Sequence, residues 1–196
     1  MAVPTEMTSL NLSGVYALNR SLSDDNVMDE IMRLQGIGWL PRQASRTANI
    51  TIMVRHFKDE SNIEHFDIHQ MVSGGLGLPS NVEKRELCWK EAELETPLFG
   101  SILTKARRAH VNELDETFLR EGWTTDTLDH GVVEILGTSN TEKSGTTWTA
   151  SQALGIGEIE GLRRYIRAVH FTGPEKEKFQ TRVIFDYVGP LNENLL

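Results

Sequence analysis

In the stretch "IEHFDIHQMV", His65, Asp67 and His69 alternate, so in an extended chain their side chains leave one face. Together with His56 in the segment before, they have the residue types of a metal site or an acid–base group. A flat His-x-Asp-x-His strand also fits a solvated outer face with Phe66 and Ile68 turned in. No further ligand motif accompanies it, and no metal is expected. A second set lies in "GLRRYIRAVHFTG", where Arg163, Tyr165 and Arg167 share one face. An inward guanidinium matches the oxygens of a carbonyl or carboxylate. A surface stripe balancing the acidic excess is the plainer alternative. Trp89, Trp148, Tyr165, Phe171, Phe185 and Tyr187 fall in strand-like segments, where they line a pocket or fill a core. Asp126, Asp129 and His130 in "TTDTLDHG" read as a cap or turn. Cys88 reads as a small buried hydrophobe, and "SGGLG" lacks the Lys-Ser/Thr of a phosphate loop.

The elements that must position these residues are mostly strands. "SGVYALNR" (13–20) alternates, with Tyr16 and Leu18 on one side. "SLSDDN" then offers N-caps for a helix in which Val27, Ile31 and Leu34 recur at helical spacing. Gly36 and Gly38 end it, and a second short helix from Trp39 to about Thr47 takes Pro41 in its first turn. "NITIMVRHF" and "IEHFDIHQMV" around the polar "DESN" predict a hairpin. "SGGLGLPSN" is a loop. "EKRELCWKEAEL" and "SILTKARRAHVNEL" continue as strands. Residues 112–123 are expected to be helical at their centre, with a loop through "TTDTLDHG". "GVVEILGTS", "GTTWTASQAL", "GLRRYIRAVHFTG" and "KFQTRVIFDYVGP" close the chain as four strands.

About nine or ten antiparallel strands at hairpin spacing predict a closed up-and-down barrel, because closure removes unpaired edges. A barrel of this size leaves a cavity, and a helical pair after the first strand can cap one open end. The expected organisation is a short extension (1–12), one barrel domain (13–190) and a tail (191–196). At 196 residues there is room for one core and little more. Twenty basic against 28 acidic residues give a net charge of −8. That balance excludes the basic surface that nucleic acid or an anionic membrane needs. A helix-turn-helix DNA reader in 24–47 fails for the same reason. Cys88 is the single cysteine, so no intrachain disulfide forms. No secretory signal is visible at the amino terminus and no apolar run reaches membrane length, so a cytoplasmic protein is expected. Three sequons, at Asn11, Asn19 and Asn49, are then accidents of composition.

"MDEIMRLQGIGWLPRQAS" resembles the lid of intracellular fatty-acid-binding proteins, through Asp29, Leu34, Gly36, Ile37, Gly38, Trp39, Arg42 and Gln43. Gly14-Val15-Tyr16 is similar to the calycin opening Gly-x-Trp. Over most of its length, including "SGTTWTA" and "RVIFDYVGP", the chain resembles small fungal lipocalin-like proteins, a group to which the norbornene-forming Diels-Alderase of sordarin biosynthesis is similar. The resemblance implies an all-β, lipocalin-like barrel with a helix-turn-helix lid. The fatty-acid anchor Arg-x-Tyr does not carry over, since Arg182 and Tyr187 are five apart and fall on opposite faces. What the likeness implies instead is a cofactor-free cyclase that folds a polyene, polyketide or terpenoid, with a non-enzymatic carrier of a lipophilic ligand as the alternative. In that reading Tyr165 and Arg167 are the catalytic donors. Trp39, Trp89, Trp148, His170, Phe185 and Tyr187 hold the substrate, a hydrophobic small molecule, with no cofactor and no metal.

Overall fold

β-Branched and aromatic residues favour extended chain, and ten strands, most of them rich in such residues, form in a computed structural model that describes residues 1–74 and 78–192. After β1 (Gly14–Leu18) come α1 (Asp25–Leu34) and α2 (Trp39–Thr47). β2 (Asn49–Lys58) and β3 (Glu64–Ser73) are the expected hairpin, followed by β4 (Asn81–Glu83), β5 (Ala92–Thr96) and β6 (Gly100–Ala109). A flap of two 3₁₀ turns and α3 (Thr125–His130) precedes β7 (Val132–Ser139) and a one-turn α4 (Thr141–Ser144). β8 (Thr149–Ile159), β9 (Leu162–Thr172) and β10 (Lys178–Gly189) end the barrel. The loop expected at 73–81 and the tail at 191–196 lie partly outside the described residues.

All ten strands belong to one antiparallel sheet, in the order β4-β3-β2-β1-β10-β9-β8-β7-β6-β5. The strands at its two edges are successive parts of one bent run. Residues 81–87 lie along β3, where Leu87 N–H donates to Glu64 O at 2.8 Å. At Trp89 the backbone takes φ 58°, and its N–H donates to Ala106 O on β6 at 2.7 Å. The run then pairs with β6 as β5. A left-handed φ is costly for tryptophan, and here it marks the point where the chain changes partner and nearly closes the barrel.

The interior has two halves. The lower half is solid: Tyr16, Phe66, Leu154, Ile156 and Tyr165 are fully buried there. Tyr165 lies 4.9 Å from Tyr16 and 5.6 Å from Phe185, ring centre to ring centre. Residues 1–13 seal the mouth below. Val3 N–H donates to Arg163 O at 2.8 Å, and the Tyr16 hydroxyl donates to Leu12 O at 2.7 Å. The upper half is hollow and lies beneath α1 and α2.

The outer face of β8–β10 is not solvated. The flap covers it, burying Leu114, Leu119 and Trp123 against Ala153, Ile166, Ala168 and Ile184. Those flap positions are five and four residues apart, a spacing no single α-helix face satisfies, which explains 3₁₀ turns at Val111–Glu113 and Thr117–Arg120 in place of the expected helix. The expected loop at "TTDTLDHG" holds α3, whose Asp126 receives Arg163 at 2.8 Å. Two glycines make the docking possible. A Cβ at Gly155 would meet Thr127 Cγ2 at 2.8 Å, and one at Gly157 would meet Gly122 O at 2.4 Å.

Candidate active site

The chamber under the lid has a volume of about 220 Å³. Its walls are apolar, made by Met28 and Ile31 of α1 with Ile102, Trp148, Val169 and Phe185 of the barrel. Its floor is polar: Gln70, Glu83, Arg85, Thr104, Gln152 and Arg167. Strand alternation produces both. On β9 the odd residues point in, so Arg167 and Val169 face the chamber while Ala168 and His170 turn to the flap.

The lid is tied at several points. Asp24 caps α1 by accepting from the N–H groups of Asn26 and Val27, and Gly36, at φ 87°, ends it. Arg42 of α2 pairs with Asp29 of α1 at 2.6 Å. Arg20 sits at the hinge, where it reaches Asp25 at 3.1 Å and donates to the carbonyls of Ser45 and Ala48, both at 2.5 Å.

Charge on the floor is unusual for an oily chamber. Arg85 Nη2 lies 2.5 Å from Glu83 Oε2, and Asn81 donates to the other carboxylate oxygen at 2.9 Å. Burial alone would raise the Glu83 carboxyl, but the guanidiniums of Arg85 and Arg167 outweigh it and hold the group below its ordinary value. Tyr165 lies just behind, outside the chamber lining. Burial pushes its phenol up to about 12 against the opposing pull of Arg167 and Arg85.

Of the residues singled out in the sequence, Trp148, Arg167 and Phe185 line the chamber, with Trp148 stacked on Phe171 at 6.1 Å. Four others lie elsewhere. Trp39 opens α2 and is 67% exposed, because that helix buries only Ala44. Trp89 lies on the outer face, with Lys105 and Arg107 over its ring at 4.5 and 4.6 Å. His170 has the wrong parity for the interior, and its Nδ1 is 2.8 Å from Glu116 of the flap. Tyr187 packs edge-on against Tyr16 at 5.6 Å in the solid half. Arg182 and Tyr187 do take opposite faces, Arg182 stacking on Phe118 of the flap at 4.4 Å.

His65 bonds to Asp59 at 2.9 Å and stacks on Phe57. His56 does not join it, because register pairs His56 with Phe66 and turns it inward. There it meets Glu64 at 2.6 Å and accepts from Leu12 N–H at 3.2 Å. Cys88 is exposed rather than buried, on the outer side of the bent run. Among the described residues no group of three or more His, Cys, Asp or Glu is arranged to hold a metal ion, and no helix is long and apolar enough to cross a membrane.

Glu83 and Arg85 escaped the sequence reading. The signal was there in "NVEKREL", where Asn81, Glu83, Arg85 and Leu87 alternate onto one face. Alternating charge of this kind is indistinguishable from a solvated edge strand until the strand is known to be inside out.

No family model matches the chain. Two relatives match it nearly from end to end. The chain is similar to pericyclases. It is 28% identical over 192 residues to the probable pericyclase scpY of Mollisia scopiformis, covering 96% of each chain. It is 24% identical over 192 residues to the pericyclase pydY of Acremonium sp, covering 97% of this chain and 98% of that one.

Proposed function

We propose that this protein is a pericyclase of fungal secondary metabolism, acting in the cytoplasm on a hydrophobic polyene, polyketide or terpenoid intermediate by a cyclisation of the intramolecular Diels–Alder type. The observation that carries the reading is a lidded, apolar chamber with guanidinium donors on its floor, in a chain similar over its full length to two pericyclases. In such a reaction every bond made or broken lies within the substrate, so the chemistry calls for no cofactor. What the protein supplies is conformation. Apolar walls around Met28, Ile31, Trp148 and Phe185 favour a folded chain over an extended one, and holding the reacting carbons at near-attack distance removes much of the entropic barrier.

Arg167 is the candidate catalytic donor. A hydrogen bond from it to a carbonyl conjugated with the reacting alkene strengthens as charge develops in the transition state. Tyr165 acts from behind as a positioning residue, packing where Arg167 leaves β9. The test is to incubate the purified protein with candidate polyene intermediates and follow product stereochemistry. A diastereomer ratio shifted from the uncatalysed one supports the cyclase. Saturable binding with the uncatalysed ratio unchanged makes it a carrier.

A further inference from the structure

The floor holds more positive charge than the protein neutralises. Among the described residues, Arg85 and Arg167 face a single carboxylate, Glu83. The Arg85 side chain is 7% exposed, and its Nε and Nη1 are buried without a hydrogen-bond partner, as is Nε of Arg167. The other charged residues lining the chamber do not correct this. Arg20 and Asp25 pair with each other at the hinge, and Arg46 is exposed and bonded to Asn26 on the lid. Removing a guanidinium from water is costly unless it is paired, and each buried donor left unmet adds to that cost.

We infer that the ligand of this chamber carries an acidic head group with two oxygens, a carboxylate or an enolised β-dicarbonyl, which binds as an anion on Arg85 and Arg167 with its apolar chain directed to the lid. The inference rests on the reading above only in taking the chamber as the binding site. Two oxygens let one anion accept from both guanidiniums at once, one oxygen toward Arg85 and the other toward Arg167. Glu83 has a defined part: it fixes Arg85 through Nη2 and so holds that guanidinium at the floor, beside Arg167. With the carboxylate ionised the floor stays at one net positive charge, which a single anion cancels. An anion seated there sends its conjugated chain up past Ile135 and Phe185 into the apolar part.

The test is calorimetric titration of the full chain at neutral pH with two acidic probes, 2,4-decadienoic acid and 2-hexanoylcyclohexane-1,3-dione. Each is compared with its neutral counterpart, the methyl ester and the methyl enol ether. The expected result is that at least one acid binds about tenfold or more tighter than its counterpart, a difference of about 1.4 kcal/mol. The arm in which this occurs separates carboxylate from dicarbonyl. Glu83→Gln removes the opposing charge and is expected to tighten the acid severalfold, an effect misfolding cannot mimic. Arg167→Met is expected to abolish the preference, weakening the acid far more than its neutral counterpart.

Equal binding of acid and neutral forms overturns the inference, as does failure of both acids to bind or a weakening in Glu83→Gln. Stereochemical control in the product assay is read independently. A pericyclase that binds neutral and acidic probes alike loses this head-group assignment and keeps its reaction.

Discussion

Two buried tyrosines with similar surroundings are expected to behave differently because only the Tyr16 hydroxyl makes a well-formed hydrogen bond. Tyr16 donates to Leu12 O at 2.7 Å, tying the N-terminal segment to the barrel, whereas the Tyr165 hydroxyl has no partner in hydrogen-bond geometry. Tyr16→Phe strands a buried carbonyl and should destabilise the fold by about 1–2 kcal/mol in urea denaturation. Tyr165→Phe should stay within about 0.5 kcal/mol of the parent, since it removes a buried polar atom that only Arg167 approaches and no group meets in good hydrogen-bond geometry. Activity should show the opposite order of importance for their neighbour: Arg167→Met is expected to lower kcat by about a hundredfold, the size of one lost transition-state donor. Single-turnover product formation measures it. Parity along "LRRYIRAVHF" was enough to put Tyr165 and Arg167 on one face. It could not show that Tyr165 stops behind the floor while Arg167 reaches it, because depth along a barrel is set by register with neighbouring strands.

At the scale of elements, the lid and the flap invite separate tests. A chamber of about 220 Å³ is below the roughly 300 Å³ at which pockets for drug-sized ligands begin, so a polyketide-sized substrate requires α1 and α2 to move outward. The Asp29–Arg42 pair, with side chains only 19% and 11% exposed, locks the two helices to each other so that they move as one lid. Arg42→Ala should uncouple α1 from α2 and raise their local opening constant by roughly tenfold. Hydrogen exchange across residues 25–47 should then accelerate while β8 and β9 keep their protection. The flap is sensitive to a single methyl group. Gly157→Ala places a carbon 2.3 Å from Ile166 Cδ1 and 2.4 Å from Gly122 O, and should destabilise by about 1–3 kcal/mol, with probe binding in the chamber retained. The lid was legible because its caps, glycines and helical spacing are local. The flap was not, since Leu114, Leu119 and Trp123 obey the shape of the sheet they cover and no period of their own.

For the whole molecule, stability against acid is expected to depend on the lower mouth. Burial would raise the Glu64 carboxyl, but hydrogen bonds from His56 and Arg108 prevail and hold it at about 2, against an ordinary 4.5. Between those two values the unfolded chain binds a proton that the folded one refuses, so this contribution is full above 4.5 and is lost as pH falls toward 2. It is on the order of 3 kcal/mol. Burial likewise lowers the His56 pKa, so stability begins to fall once the pH drops below the 6.5 at which an unfolded histidine titrates. Denaturant unfolding of Glu64→Gln beside the parent should show a gap at pH 7 that narrows steadily below 4.5. Alternation, caps and turns, each written within a dozen residues, determined by themselves nine extended runs, a helical pair after the first and a sheet curling back on itself. That the run at 83–94 divides into β4 and β5 was not among them. Only the tertiary structure decided which sheet face the flap would dry, where the bent run at Trp89 changes partner, and that Glu83, Arg85 and Arg167 meet at one depth. The reason is physical: local pattern fixes which side of a strand a residue leaves. What it meets there depends on chain more than 80 positions away, brought near by closure of the barrel.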